Sequence, residues 1–166
     1  MMEVEIKAYT PADCPQAAAL WNQIVEQGDS FPGDQPLSLP EADAFFRAQV
    51  FTGCAWLDGA LVGLYILHPN NIGRCAHISN ASYAVDRAAR GSGIGRRLVL
   101  HSLGQAAKSG FTGLQFNAVV CTNQAAIHLY EQLGFVRIGT IPGGYRYRDG
   151  SLKDIYIYYH DTPAQK

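Results

Sequence analysis

The sequence predicts an α/β (α+β) protein built on a mixed, mostly antiparallel twisted sheet of about seven strands with about four helices on its faces. Three observations point there. Alternating apolar residues flank Asp58-Gly59 in "GCAWLDGALVGLYILHPN", the pattern of a tight hairpin. Two runs of helical periodicity interrupt the strands of the second half, each closed by a glycine, Gly110 and Gly134. No repeat, low-complexity linker or composition break divides the chain, so residues 1–160 read as a single domain and 161–166, "DTPAQK", as a frayed tail.

Taken in order, Val4, Ile6 and Ala8 alternate through a first strand. Thr10 before Pro11 opens a helix that Gly28 stops after Gln27, with Ala18, Leu20, Trp21, Ile24 and Val25 as its buried stripe. The turn-rich loop "GDSFPGDQPLSLP" carries Phe31, an apolar residue with no periodic partner. A second helix spans Pro40 to Val50, and the hairpin follows. "CAHISNASYAVD" is the next strand. Ile94, Leu98, Leu100, Leu103 and Ala107 then recur at helical spacing. "LQFNAVV" is a short strand and "NQAAIHLYEQL" a helix. "FVRIGTI" and "KDIYIYYH" close the chain as an antiparallel pair across a long turn containing Asp149-Gly150. The aromatic run of the last strand reads as a buried, twisted strand ahead of an aromatic dimer face, and a homodimer stays open.

Of 166 residues, 48% are apolar and 16% charged, which suits one substantial core and not a disordered chain. A formal net charge of −1 leaves no broad basic field, which weighs against nucleic acid and anionic membranes as partners. No stretch has the length and apolarity of a signal peptide or a membrane span. Cys14, Cys54, Cys75 and Cys121 lie far apart without a CxxC pair, and the histidines lack HExxH spacing. Reduced thiols in a cytoplasmic protein and no metal site are therefore expected.

The segment "AARGSGIGRRLVL" places Gly91, Gly93 and Gly95 immediately before a helix. A Walker loop needs GK[ST], where Arg96 and Arg97 stand; a dinucleotide fingerprint needs G-x-G-x-x-G, where Arg96 replaces the last glycine. What fits is R-x-x-G-x-G from Arg90 to Gly95. Such a turn frees main-chain amides at a helix N-terminus, where the dipole also favours an anion. Glycine lets a ligand approach the backbone, and Arg90 with Arg96 adds positive charge for a diphosphate. A tight strand-to-helix turn without a ligand is the alternative.

With that turn, a downstream N-x-x-A-x-x-L-Y-x-x-L-G-F block (Asn123, Ala126, Leu129, Tyr130, Leu133, Gly134, Phe135) and its order of elements, the sequence resembles the GNAT superfamily of acetyl-CoA-dependent N-acetyltransferases. The likeness covers most of the chain and is strongest from Ile78 to Tyr159. It implies a GNAT-type sheet whose central strands splay apart. It implies that Arg90, Gly91, Ser92, Gly93, Ile94, Gly95 and Arg96 hold the coenzyme A pyrophosphate. It further implies that the preceding strand, with Tyr83 and Val85, offers main-chain groups to the pantetheine arm. Asn123 matches the family's helix-start cofactor contact, and Tyr130 the tyrosine beside the cofactor sulfur. Asn80 and Asn117, taken with Asn123, resemble a fungal branch that acetylates proline analogues, where matching asparagines contact a small amino-acid substrate or the cofactor.

The chemistry implied is direct attack of an amine on acetyl-CoA. A small-molecule acceptor such as an amino acid or proline analogue is expected. Tyr130 is the expected general acid, because a phenol near pKa 10 roughly matches an alkyl thiol. A main-chain amide between Ser79 and Tyr83 would stabilise the oxyanion. The base stays open between His77 and a water relayed through Asn80, Tyr83 or main-chain carbonyls. The loop from Gly28 to Leu39 is a candidate lid, with Phe31 on the substrate and Asp29 or Asp34 drawing an ammonium; the alternative anchors Phe31 in the core. Two other readings compete, a non-catalytic acyl-CoA-binding module and an acetyltransferase for protein amines.

Overall fold

The computed structural model describes residues 3–163. Its strands are β1 (Glu5–Ala8), β2 (Phe51–Leu57), β3 (Ala60–Pro69), β4 (Ile78–Val85), β5 (Gly113–Val120), β6 (Val136–Arg146) and β7 (Leu152–Asp161). Its helices are α1 (Cys14–Gln27), α2 (Leu39–Arg47), α3 (Ile94–Lys108) and α4 (Gln124–Gln132). The strands form one seven-stranded sheet in the order β1-β2-β3-β4-β5-β7-β6, antiparallel except where β4 meets β5. The expected mixed, mostly antiparallel sheet with four helices is what the chain builds.

Side-chain alternation distributes the core over both faces. Tyr65 and Leu67 of β3 join Ala81 of β4 beneath α3, while Leu64, Ile66 and Ala84 join the α1–α2 layer. The turn expected at Asp58-Gly59 forms with both residues at positive φ, 49° and 79°, which matches the twist of β2 and β3.

Several boundaries depart from expectation. The first turn after Thr10 is a 3-10 turn over Pro11–Asp13, and the α-helix begins at Cys14. α2 stops at Arg47, not Val50, because Gln49 Nε2 donates to Phe45 O and Thr52 Oγ1 to Phe46 O, closing its last turn. In α3 the inward stripe is Ile94, Leu98, Val99, Ser102 and Ala106, and Leu100 is 47% exposed. A serine holds an inward place there because its Oγ pairs with the Tyr83 hydroxyl at 2.6 Å. β6 continues past Ile141 to Arg146 across the second of its two register irregularities, between Ile141 and Tyr145. Within the tail expected to fray from 161, Asp161 instead ends β7, and Thr162 is buried, its Oγ1 donating to Phe111 O. Residues 164–166 lie outside the described part. Among the described residues, no helix is long and apolar enough to cross a membrane.

Candidate functional site

The site grows from a break in the sheet. β4 and β5 pair in parallel only through Ile78–Asn80 against Gly113–Gln115, and then diverge. On its other edge β4 stays paired with β3 as far as Val85. The Asn70 amide donates to Ile78 O and the Asp86 amide to Val62 O. Antiparallel alternation between those two bonds turns the main-chain groups of Asn80, Ser82 and Ala84 toward β3. Those of Ala81, Tyr83 and Val85 are left facing the gap. β5 opens its side as well, losing register with β7 between Phe116 and Val119, so that Asn117 and Ala118 border the opening.

Two cavities meet in this gap. The larger, about 940 Å³, runs along the start of α3 and α4. Its walls include Arg90, Gly91, Gly93, Gly95 and Arg96. Gly91 and Gly93 hold φ of 81° and 82°, a conformation costly for any residue with a Cβ. A Cβ at either would meet no neighbour, so packing does not require these glycines; backbone geometry and ligand approach do. Gly93 is the N-cap of α3 and offers no side-chain cap, and the first helical bond is Arg97 N to Gly93 O. The amides of Ile94, Gly95 and Arg96 therefore lack partners within the helix. Arg90 Nη2 donates to Gln27 Oε1 at 2.8 Å, while Gln27 Nε2 is buried without a hydrogen-bond partner among the described residues. Uncapped amides, two guanidinium groups and an orphaned donor suit a diphosphate.

The smaller cavity, about 310 Å³, opens between β3, β4, β5 and the α1–α2 loop. Among the described residues, neither a carboxylate nor an ammonium or guanidinium group lines it. Its polar wall is an amide cluster in which Asn70 Oδ1 accepts from Asn80 Nδ2 at 3.1 Å and from Asn117 Nδ2 at 2.6 Å. Phe31 packs on Trp21 with ring centroids 4.4 Å apart and still borders this cavity, so the core anchor and the pocket wall are one residue. Tyr145 Oη holds the loop there by donating to Phe31 O.

Tyr83, Asn123 and Tyr130 border both cavities. The Tyr130 ring sits among Phe116, Phe135 and Tyr158, at centroid distances of 4.5, 5.6 and 6.1 Å. The hydroxyls of Tyr65, Tyr83 and Tyr158 each engage a side chain, whereas no described residue hydrogen-bonds that of Tyr130. Burial pushes the Tyr130 phenol well above its ordinary value. The near match to a free alkyl thiol is thereby lost in isolation. A thiolate in the same gap would lose solvation too, and its pKa would move in the same direction.

The sequence-derived residues thus gather here, with three exceptions. Ser92 lines neither cavity, its hydroxyl being turned back on Ala89 O. His77 is exposed and lies outside both cavities. Asp34 is likewise exposed and lines neither, while Asp29 lines the larger cavity, so neither aspartate draws an ammonium into the smaller one. Asn123 also caps α4, accepting from Ala126 N. Missed from sequence were Asn70, His68 and Gln27, which no motif marks.

The chain matches the acetyltransferase (GNAT) family over residues 18–135. It is 32% identical over 162 residues to the N-acetyltransferase aca1 of Schizosaccharomyces pombe, covering 86% of this chain and 77% of the relative. It is 25% identical over 144 residues to the L-amino acid N-acyltransferase MnaT of Escherichia coli, covering 84% and 83%. Among solved structures, a GCN5-related N-acetyltransferase from Kribbella flavida superposes with a TM-score of 0.88 at 31% identity, covering 95% of this chain and 97% of the other.

Proposed function

The chain belongs to the GNAT family of acetyltransferases, and from that premise we propose that it moves an acetyl group from acetyl-CoA to the amine of a small, amino-acid-like molecule. The observation that carries this reading is the Tyr130 hydroxyl, without a hydrogen-bond partner among the described residues, on a side chain that borders both the charged and the uncharged cavity. Bound acetyl-CoA supplies the activated acyl carbon and a thiol leaving group.

The larger cavity takes the diphosphate on the amides of Ile94, Gly95 and Arg96 with Arg90 beside them. The gap-facing main chain of Ala81, Tyr83 and Val85 accepts the amide-bearing arm, and an amide of that edge faces the acyl oxygen. Tyr130 donates a proton to the departing sulfur. Asn80 and Asn117, locked on Asn70, orient the acceptor. A cavity of about 310 Å³ lies at the small end of ligand pockets and admits an amino acid more readily than a peptide. The E. coli relative, an amino-acid acyltransferase, agrees with that acceptor class.

Thiol release from acetyl-CoA, measured across amino acids, imino acids and a lysine-bearing peptide, tests the reading. Turnover of the free amino or imino acids is expected. Turnover of the peptide alone overturns the small-acceptor assignment, and no turnover of any amine overturns the transferase reading.

A further inference from the structure

His68 lies on β3 directly opposite Asn80 in the β3–β4 pairing, and it lines the smaller cavity with Asn70, Asn117 and Tyr130. Its Nδ1 sits 2.9 Å from Pro69 O. A carbonyl can only accept, so Nδ1 carries the proton, and in the neutral ring Nε2 keeps its lone pair. The elements enclosing the cavity offer little competition. The α1–α2 loop contributes Ser30, Phe31 and Pro32, and β5 contributes Phe116 to Val120; none of these titrates. β4 contributes Tyr83 and α4 contributes Tyr130, both phenols that burial keeps protonated. His68 is therefore the one side chain among the described cavity-lining residues that offers a neutral nitrogen lone pair as a proton acceptor.

Resting on the acceptor-site reading above, we propose that His68 Nε2 is the base that deprotonates the incoming ammonium. The protons balance as follows for a primary amine. Of the three on the ammonium nitrogen, one stays on the product amide and one is matched by the proton on the released thiol. The third passes to Nε2 and on to solvent. Tyr130 gives one proton to sulfur and is restored from the nitrogen, so it carries none away. Anchoring Nδ1 on Pro69 O serves this task, because it leaves Nε2 available to the ammonium.

His68→Gln keeps a polar group near the Nε2 position but cannot take up a proton. At neutral pH its kcat/KM is expected to fall by about a hundredfold, with recovery toward alkaline pH where free amine supplies itself. The acidic limb of the wild-type pH profile should move to the alkaline range where the amine loses its own proton, while acetyl-CoA affinity by calorimetry and the melting temperature stay put. Exposed His77→Gln serves as control and should leave the profile unchanged. An independent readout is ¹⁵N NMR of histidine-labelled, ligand-free protein, with the His68 ring assigned by its absence in His68→Gln. It should show the Nδ1–H tautomer at pH 8. An Nε2–H tautomer, or an intact acidic limb in His68→Gln, overturns the proposal. Wild-type protein inactive on every amine would instead sink the transferase reading beneath it.

Discussion

The two cavities that meet at Tyr130 are built from different materials. The larger is walled by glycines, arginines and uncapped helix amides, with Asp29 and His128 among its charged or titratable groups. The smaller has an aromatic and amide wall with no formal charge. One is suited to an anion it must hold, the other to a molecule it must orient and release. The splay of β4 from β5 joins them, and Tyr130 stands at the junction beside Tyr83 and Asn123.

The sharpest way to break this comparison is Tyr130→Phe. A roughly 10²-fold or greater loss of kcat with unchanged acetyl-CoA affinity is expected from removal of an acid. Steady-state kinetics with calorimetry check it, and a shift confined to affinity would make Tyr130 part of the larger cavity alone. Next in size is Gly93→Val, which forces a β-branched residue to φ of 82°. Acetyl-CoA binding should weaken about tenfold or more, read by calorimetry on protein whose melting has been checked, with the acceptor KM held.

The smaller cavity answers to Asn70→Ala. Loss of the shared acceptor for Asn80 and Asn117 removes orientation worth about 1 kcal/mol, so acceptor KM should rise about fivefold while acetyl-CoA affinity holds. The smallest effect concerns the support under the glycine turn. His101 of α3 pairs with the buried Tyr65 hydroxyl at 2.7 Å, and burial followed by Lys108 lowers its pKa below the usual 6.5. Protonation then favours the unfolded chain. Stability from this site is complete above about pH 6.5 and declines as the pH falls below it. Thermal melts across that range should show the decline, and His101→Asn should flatten it.

What the sequence disclosed depended on how local each cause was. Asp58-Gly59 names its own turn, and the run from Arg90 to Gly95 writes phosphate-binding chemistry into six adjacent positions. Phe31 was noticed because its apolarity lacked a helical or strand partner. Asn70 and His68 carried no such mark. They reach the site through the register of β3 on β4, which pairs His68 with Asn80, and through a hydrogen bond spanning 47 positions from Asn117. Gln27 looked like the last residue of a helix, and only the fold brings it to Arg90. In α3 the periodic reading followed Leu100 outward because the true inward position belongs to Ser102, whose partner Tyr83 lies on another strand.

The early end of β4–β5 pairing has a further meaning. Ala81, Tyr83 and Val85 are rungs of an unfinished ladder, with donors and acceptors aimed at empty width. A ligand carrying amides at peptide-like spacing would supply the missing rail, making the bound molecule a structural member of the sheet. Its concentration then sets part of the protein's resistance to melting, adding about 2.7 kcal/mol at a hundredfold excess over Kd.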